Sequence, residues 1–494
     1  MSTIIAATNG STSPTTTPPP SLPASSTTSP PAMSPTTIPN VAVPPRGVDY
    51  RNKIVLAPMV RSGELPSRLL ALHYKADLVW GPETVDRSMI GTTQSTNPRN
   101  GSIEWSRTPN NSIPPPGQIL KDSIIYRIDP KRESSKLIFQ IGTNNPDRAV
   151  AAAKLVAPYC AGIDVNAGCP KPFSTDGGMG AALLTTENGD LLARILTALV
   201  THITAVYQIG ISVKIRLLST PEETATLVHK LCKTGIVGLT IHCRTRPMRP
   251  RERAIRDQLR MIGEICRSHG VACLMNGDVT SRDEGLRLAE EYGVDGAMIA
   301  TAAEANSSVF LSEAEGGKRP WREVVEQYIR FAVEVENRFG NTKFLLSQLM
   351  PGRDPAYQKM NQSKGYAGVV EALDLQKDEK LYSGAKALDT LLGLDGHKAS
   401  KAEIKKANKS ANRARCEANI AKKKQAAAEA EQQRQTNTKR AAEESEMQRS
   451  AKKDRREPPM TDGDQGKSPL QKAQIAAENA GFEGIGQGAL EVAV

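Results

Sequence analysis

Two short apolar segments, GIDV (162–165) and ISVKI (211–215), flank a helical pattern over 189–206 and decide the fold class. Apolar strands joined by a helix are typical of a parallel sheet buried on both faces. Six more such strands are predicted: KIVLA (53–57), DLVW (77–80), LIFQI (137–141), VGLTI (237–241), VACLM (271–275) and GAMI (296–299). Eight strand–helix units in about 260 residues predict an α/β fold of the (β/α)8 TIM-barrel type. A GxGxxG motif is missing after the first strand, which argues against an open doubly wound sheet.

The helical patterns between and after these strands define the remaining organisation. Helices are predicted at 146–157, 189–206, 221–233, 253–268, 282–292, 321–339, 368–373 and 382–392. Residues 91–135 interrupt the alternation and read as an inserted loop carrying a hairpin, with a β-like piece at 124–128. The predicted domains are a tail (1–48), the barrel (49–315), a small helical domain (316–396) and a second tail (397–494).

The two tails account for the unusual composition of this chain of 494 residues and net charge +11. Of the first 45 residues, 29 are Ser, Thr or Pro and none is charged, so this segment is expected to be disordered. Residues 398–456 hold 18 Lys and Arg against 8 Asp and Glu. That excess is expected in a solvated, partly helical tail and is compatible with attraction to a nucleic acid.

The same totals constrain location and state. No unbroken apolar run of about 18 residues occurs, so we expect no membrane association. The N-terminus resembles neither a secretory signal nor a presequence. Seven cysteines without a CxxC pair argue against disulfides and a metal site. We expect a protein of the cytoplasm, the nucleus or both. The choice stays open because the basic cluster at 452–456 is either a nuclear signal or solvated charge. We also expect a monomer.

Polar residues at strand ends come first in the search for a site, because barrel active sites lie at the carboxyl ends of the strands. Strand 1 ends in Pro58, Met59 and Val60, an apolar platform for a flat ring. The predicted polar positions are Gln140 on strand 3, Lys214 and Arg216 on strand 5, and His242 and Arg244 at the end of strand 6. Two cations facing one way inside a barrel call for an anionic or electron-rich ligand.

The last two strands end in groups suited to a phosphate. Strand 7 is followed by Asn276, Gly277 and Asp278, and strand 8 by Ala300 and Thr301 before a helix. Loops after strands 7 and 8 bind phosphate in many barrels. The set favours a phosphorylated planar cofactor, and the Pro58–Met59 platform favours flavin mononucleotide (FMN) over a sugar phosphate.

The strongest local feature follows strand 4. It reads DVNAGCPK (164–171) and then STDGGMGAALL (174–184). Cys169 sits in a Gly-Cys-Pro turn at a strand end, where a thiol that stays protonated can donate a proton. Lys171 could instead lower its pKa and make it a nucleophile. The glycines at 177–180 predict a mobile loop beside the cysteine.

Together these segments resemble the tRNA-dihydrouridine synthases. The resemblance covers about 52–310, and the pieces occur in the family's order: LAPMVRSGELPSRLLAL, FQIGTNNPDRA, DVNAGCPKPFSTDGGMGAALL, VKIR, TIHCRTRPMRPRERA, NGDV and MIATAAEANSSVF. The segments HCRTRPMRPRE and GGMGAALL are most similar to the eukaryotic branch that modifies position 20 of the D-loop.

The resemblance implies an FMN-containing barrel followed by a helical domain that grips tRNA, with NADPH or NADH as reductant. Implied flavin contacts are Pro58, Met59, Gln140, Lys214, His242, Asn276, Gly277, Asp278, Ala300 and Thr301. The reduced flavin gives a hydride to C6 of a flipped-out uridine while Cys169 gives a proton to C5. Asn166, Lys171, Arg216 and Arg244 are then the implied contacts to the substrate.

Position 301 departs from the family, which usually carries Arg there. Thr301 offers a hydroxyl without charge, which bears on FMN affinity. Two rival functions stay open. One is a tRNA-binding protein with weakened or lost flavin binding. The other is an FMN oxidoreductase acting on a small pyrimidine or enone.

Overall fold

The computed structural model describes residues 42–108, 123–185, 189–249 and 251–395. Both predicted tails lie outside the described residues, apart from 42–48 at the end of the first. Arg46, within that stretch, donates hydrogen bonds to the carbonyl oxygens of Tyr207 (3.0 Å) and Pro158 (2.8 Å). Contact with the barrel therefore begins before residue 49.

The described residues contain a closed parallel barrel, as the sequence predicts. In chain order the strands are β1 (Lys53–Leu56), β2 (Val79–Trp80), β3 (Thr84–Val85), β4 (Thr93–Thr96), β5 (Ile103–Arg107), β6 (Ser123–Ile128), β7 (Leu137–Gly142), β8 (Gly162–Ala167), β9 (Gly210–Arg216), β10 (Gly238–His242), β11 (Ala272–Asn276) and β12 (Gly296–Ile299). Strands β1, β2 and β7–β12 form the barrel, which closes through pairing of β2 with β7, and β3 adds beside β7. All eight predicted strand segments are barrel strands.

Helices surround the barrel and continue beyond it. They are α1 (Leu65–His73), α2 (Asp86–Met89), α3 (Pro146–Val156), α4 (Pro172–Thr175), α5 (Gly189–Leu199), α6 (Ala205–Tyr207), α7 (Pro221–Cys232), α8 (Leu259–Ser268), α9 (Arg282–Tyr292), α10 (Thr301–Ala305), α11 (Trp321–Glu334), α12 (Phe339–Leu349), α13 (Pro355–Gln362), α14 (Tyr366–Ala372) and α15 (Glu379–Leu392). Two helix predictions were wrong in their bounds. The segment 253–258 precedes α8 as a loop, and 321–339 contains the end of one helix and the start of another, with Glu336 in the left-handed region (φ 53°) between them.

The barrel interior is a packed core below the strand ends. Tyr50, Trp80, Ile138, Leu274 and Met298 fill it, each no more than 2% exposed. Trp80 and Tyr50 lie with ring centroids 5.6 Å apart. Since the interior is filled, a ligand has access only to the ends of the strands.

Helices α5 and α6 are joined into one helical run, Gly189–Tyr207. Its most apolar stretch of 18 residues has a mean hydropathy of 1.4, so the run is long and apolar enough to cross a membrane by length and composition alone. The sequence prediction of no such segment therefore does not hold by this measure. Leu192, Ile195, Leu199 and Ile203 are fully buried in the barrel core. Packing against the barrel accounts for this apolar composition.

Two additions to the barrel contact each other. The insertion is a three-stranded antiparallel sheet in the order β4–β5–β6, rather than the expected hairpin. Helices α11–α15 form a bundle whose core includes Leu70 of α1 and Tyr74 directly after it. Arg132, just after the insertion's sheet, pairs with Glu334 of the bundle at 2.9 Å. Arg127 of β6 donates to the carbonyl oxygen of Glu336 at 3.2 Å.

Candidate active site

A cavity of about 380 Å³ opens at the carboxyl ends of the barrel strands. Most of the residues predicted from strand ends line it: Pro58, Met59, Val60, Gln140, Asn166, Cys169, Lys171, Lys214, Arg216, His242, Asn276 and Ala300. Four predicted residues lie outside its wall: Arg244, Gly277, Asp278 and Thr301.

Strand register brings the polar residues together. Asn166 of β8 pairs with Lys214 of β9. Two residues further along β9, Arg216 pairs with His242 of β10, and His242 pairs with Asn276 of β11. Because residues paired across a sheet point to the same side, these five side chains form two adjacent rows at one end of the barrel.

The Gln140 amide is oriented by a buried carboxylate. Gln140 Nε2 donates to Asp164 Oδ2 at 2.8 Å, and Ser212 Oγ donates to Asp164 Oδ1 at 2.7 Å. Burial raises the pKa of Asp164 to about 6, against the effect of these hydrogen bonds. Since Asp164 takes the amide N–H, Gln140 keeps Oε1 as an acceptor for a ligand donor.

Lys214 is a half-buried cation on the cavity wall. Among the described residues, no hydrogen bond or ion pair satisfies its Nζ, although the side chain lines the cavity. Burial, and then the neighbouring Arg216 cation, lower the pKa of Lys214 to about 8. An ammonium in this state is stabilised by an anionic or electron-rich group, which the cavity can admit.

His242 is held neutral and in one tautomer. Burial, followed by the positive charges of Lys214 and Arg216, lowers the pKa of His242 to about 2. Arg244 Nη1 lies 3.3 Å from His242 Nε2. Because a guanidinium only donates, Nε2 accepts and the ring proton is on Nδ1. The imidazole can therefore donate one hydrogen bond without carrying charge.

Arg244 and Asp278 lie behind His242. Arg244 Nη2 donates to Asp278 Oδ1 at 2.5 Å and its Nε donates to the carbonyl oxygen of Glu252 at 2.7 Å. Arg244 is only 4% exposed. Its contacts place it against His242 and outside the cavity wall, and the predicted contact with the substrate stays a prediction. The physical reason for this placement is that the loop after β10 turns the Arg244 side chain toward the end of β11.

The turn after β11 depends on its glycine. Gly277 and Asp278 have φ angles of 126° and 50°. A Cβ on Gly277 would also lie 3.2 Å from Ala254 Cβ, so a side chain is disfavoured on both counts. Arg256 Nη2 donates to the carbonyl oxygens of Gly277 (3.1 Å) and Asp278 (2.9 Å). Thr301 begins the short helix α10 after β12.

The Cys169 turn is fixed from three sides. Asn166 Oδ1 accepts from the backbone N–H groups of Gly168 (2.9 Å) and Cys169 (3.1 Å). Arg216 Nε donates to the carbonyl oxygen of Gly168 at 2.8 Å. The N–H of Ala181 donates to the Cys169 carbonyl oxygen at 2.9 Å. The predicted mobile glycine loop is thus tied to the turn at its far end.

Cys169 differs from the other cysteines of the described chain. Cys160, Cys232, Cys243, Cys266 and Cys273 are buried, whereas Cys169 is partly exposed and lines the cavity. Partial burial raises the pKa of the Cys169 thiol, an effect that outweighs the attraction of Lys171. The thiol therefore keeps its proton near neutral pH, which favours a proton donor over a nucleophile.

The cavity also contains residues that the sequence analysis missed. They are Ala57, Ser62, Glu83, Gly168, Pro170, Phe173, Glu304 and Phe344. Glu83 follows β2, and the same strand-end criterion used for the other strands would have found it. Phe344 belongs to α12 of the bundle, and the Arg61 guanidinium lies 4.2 Å from its ring centroid. No local signal connects Phe344 to the barrel.

The fold and site define a class: an α/β barrel whose strand-end cavity is lined by a lysine, a histidine and a cysteine, Lys214, His242 and Cys169. The model of the family "Dihydrouridine synthase (Dus)" matches residues 55–386, so the chain belongs to the dihydrouridine synthase family.

Curated relatives agree with the family. The chain is 46% identical over 334 residues to the tRNA-dihydrouridine(20) synthase [NAD(P)+] of Schizosaccharomyces pombe, covering 67% of this chain and 66% of the relative. It is 39% identical to the enzyme of the same name from Saccharomyces cerevisiae, covering 73% and 92%. A tRNA-dihydrouridine(20a/20b) synthase of Saccharomyces cerevisiae is 28% identical, covering 66% and 81%.

Proposed function

We propose that the protein reduces one uridine of the tRNA D-loop, at position 20, to 5,6-dihydrouridine, with FMN as cofactor and NADPH or NADH as reductant. The two relatives at 39–46% identity, both named for position 20 and NAD(P)+, support the substrate and reductant. The single observation in the site that carries the proposal is that the partly exposed Cys169 thiol and the Lys214 ammonium line the same cavity at the strand ends.

The residues present fit a flavin. Lys214 needs an electron-rich partner, Gln140 keeps an acceptor and His242 offers a donor, all on the wall of one cavity. Pro58 and Met59 add an apolar edge on which a flat ring can lie. FMN held there would supply the hydride for a conjugated double bond.

The chain's own residues manage the substrate and the proton. Cys169 Sγ holds the proton destined for C5 of the uracil. Asn166 fixes the Cys169 backbone through its Oδ1 and retains Nδ2 as a donor for a uracil carbonyl. Phe173, half exposed at the cavity edge, gives the flipped-out base an aromatic surface. A base must leave its stack to reach this depth.

The outer parts of the proposal concern RNA binding and location. Four exposed arginines follow β10 in the chain and suit contact with phosphates: Arg246, Arg249, Arg251 and Arg253. The helical bundle and the basic segment 398–456, which lies outside the described residues, would extend that surface. We also propose that the protein acts as a monomer in the cytoplasm, the nucleus or both.

The test is mapping of dihydrouridine in unmodified tRNA after incubation with the purified protein, FMN and NADPH. We expect one new dihydrouridine at position 20 and no reduction of free uridine. Turnover of the free nucleoside would favour the small-pyrimidine rival. A protein that stays colourless after addition of FMN, yet binds tRNA, would favour loss of flavin binding through Thr301.

A further inference from the structure

The carboxyl group of Glu83 lies in the cavity and has one oxygen without a partner. Glu83 connects β2 to β3 and lines the cavity together with Asn166 and Cys169. Its Oε1 accepts a hydrogen bond from Ser174 Oγ at 3.0 Å. Its Oε2 is buried and makes no hydrogen bond of ordinary geometry with the described residues, and the side chains of Asn166 and Cys169 interact with the same carboxyl group. A buried carboxylate oxygen left in this state is costly and is rarely kept without a role.

The surrounding backbone makes room for this carboxyl group. A Cβ on Gly142, at the end of β7, would lie 2.5 Å from Glu83 Oε1, so a side chain there would displace the Glu83 carboxyl group. A Cβ on Gly180 would lie 2.5 Å from Ser174 Oγ and 2.6 Å from the Cys169 carbonyl oxygen. Two glycines therefore allow Glu83, Ser174 and Cys169 to pack together.

Four charged groups face the Cys169 thiol. Burial also raises the pKa of the Glu83 carboxyl group. In its ionised form Glu83 disfavours the thiolate, because two negative charges would meet. Lys171 favours the thiolate, and so do Lys214 and Arg216 across the cavity. Without Glu83, burial alone would oppose the three cations at the sulfur. The thiol would then lose its proton at lower pH.

We propose that Glu83 is a positioning residue that keeps the proton on Cys169 Sγ until the substrate takes it. The carboxylate offsets the three cations that the cavity needs for an electron-rich ligand, and its bond to Ser174 holds the Cys169 loop against the end of β2. The inference rests on the proposed role of Cys169 as proton donor. It explains how one cavity can contain both a cationic wall and an acid that remains protonated.

The experiment measures the pH dependence of iodoacetamide alkylation at Cys169 in the purified full chain, with the modified peptide identified by mass spectrometry. Alkylation follows the thiolate fraction, so it reports the thiol pKa and requires neither flavin nor tRNA. Glu83→Gln removes the charge and keeps the shape. We expect the midpoint to fall by about one pH unit, with up to about tenfold faster alkylation at pH 7.

Asp176→Asn is the matched control, since it removes one negative charge from an exposed position on the Cys169 loop. We expect its midpoint to stay at the wild-type value. In the tRNA reaction, the basic limb of the pH–rate profile should move with the alkylation midpoint in Glu83→Gln. Equal midpoints in Glu83→Gln and wild type, or equal shifts in both variants, would overturn the proposal. Failure of tRNA reduction by the wild type would overturn the proposed function and leave the thiol titration interpretable.

Discussion

Gly180→Ala tests whether the position of Cys169 sets the reaction rate. Gly180 has φ of 57°, a conformation that costs an alanine about 1–2 kcal/mol. The new Cβ would lie 2.6 Å from the Cys169 carbonyl oxygen and 3.2 Å from Cys169 Cβ. Relief of the first contact requires the Cys169 backbone to shift by several tenths of an ångström, because Cβ atoms avoid contacts under 3.0 Å.

Gly178→Ala provides the matched control on the same loop. Gly178 also has positive φ (72°), but its new Cβ would meet only the end of the Asn144 side chain, at 3.2 Å. Both variants should lose about 1–2 kcal/mol of unfolding free energy in urea titrations. Only Gly180→Ala displaces the thiol.

The assay is single-turnover formation of dihydrouridine by the pre-reduced protein with unmodified tRNA. A misplacement of about 1 Å can cost about 100-fold in rate, so a shift of several tenths should slow Gly180→Ala by about 10- to 100-fold. We expect Gly178→Ala to stay within about threefold of the wild type, since its strain leaves the reacting atoms in place. Equal rates in the two variants would refute the reasoning, because loop strain alone would then explain the effect.

Three further perturbations address Lys214, a buried ion pair and the basic tail. The pKa of Lys214 is lowered from 10.5 to about 8, so the unfolded chain binds more protons between these values and stability rises with pH there. Lys214→Met should therefore raise the unfolding free energy of the ligand-free protein by up to about 3 kcal/mol at pH 7, and it should weaken FMN binding. A gain in stability that persists above pH 10.5 would contradict this account. Glu133→Gln breaks an ion pair in which Arg68 Nε lies 2.7 Å from Glu133 Oε2, with the two side chains 1% and 0% exposed. Urea titration should show a loss of about 3–5 kcal/mol of unfolding free energy. An unchanged value would show that the pair contributes nothing. Truncation after residue 395 should weaken tRNA binding and flatten its salt dependence while FMN content is unchanged, whereas an unchanged salt slope would exclude the tail from binding.

The sequence predicted the barrel because its strands are short, apolar and separated by helices. Closure of the barrel then sets the register between neighbouring strands. The strand ends alone therefore predict that residues such as Lys214 and His242 lie close together. Cys169 was identifiable from its Gly-Cys-Pro turn. Glu83 was equally accessible, since it follows a predicted strand directly, and its omission reflects an incomplete reading of strand 2.

Other features depend on contacts that no local pattern encodes. Phe344 reaches the cavity only because the bundle packs against α1, far from it in sequence. The direction of Arg244 depends on Asp278 and the loop between them. The break between α11 and α12 arises where Tyr366 donates to the carbonyl oxygen of Asn337 at 2.7 Å, a contact from a later helix. Helical periodicity alone runs through that point.

The most direct test of the central claim is anaerobic mixing of the pre-reduced, FMN-loaded protein with unmodified tRNA. We predict that the visible flavin absorbance returns and that one dihydrouridine forms for each flavin reoxidised. In Cys169→Ala, both events should slow together by about 100-fold or more, because the proton for C5 is lost. Flavin reoxidation without dihydrouridine, or an unchanged rate in Cys169→Ala, would contradict the account.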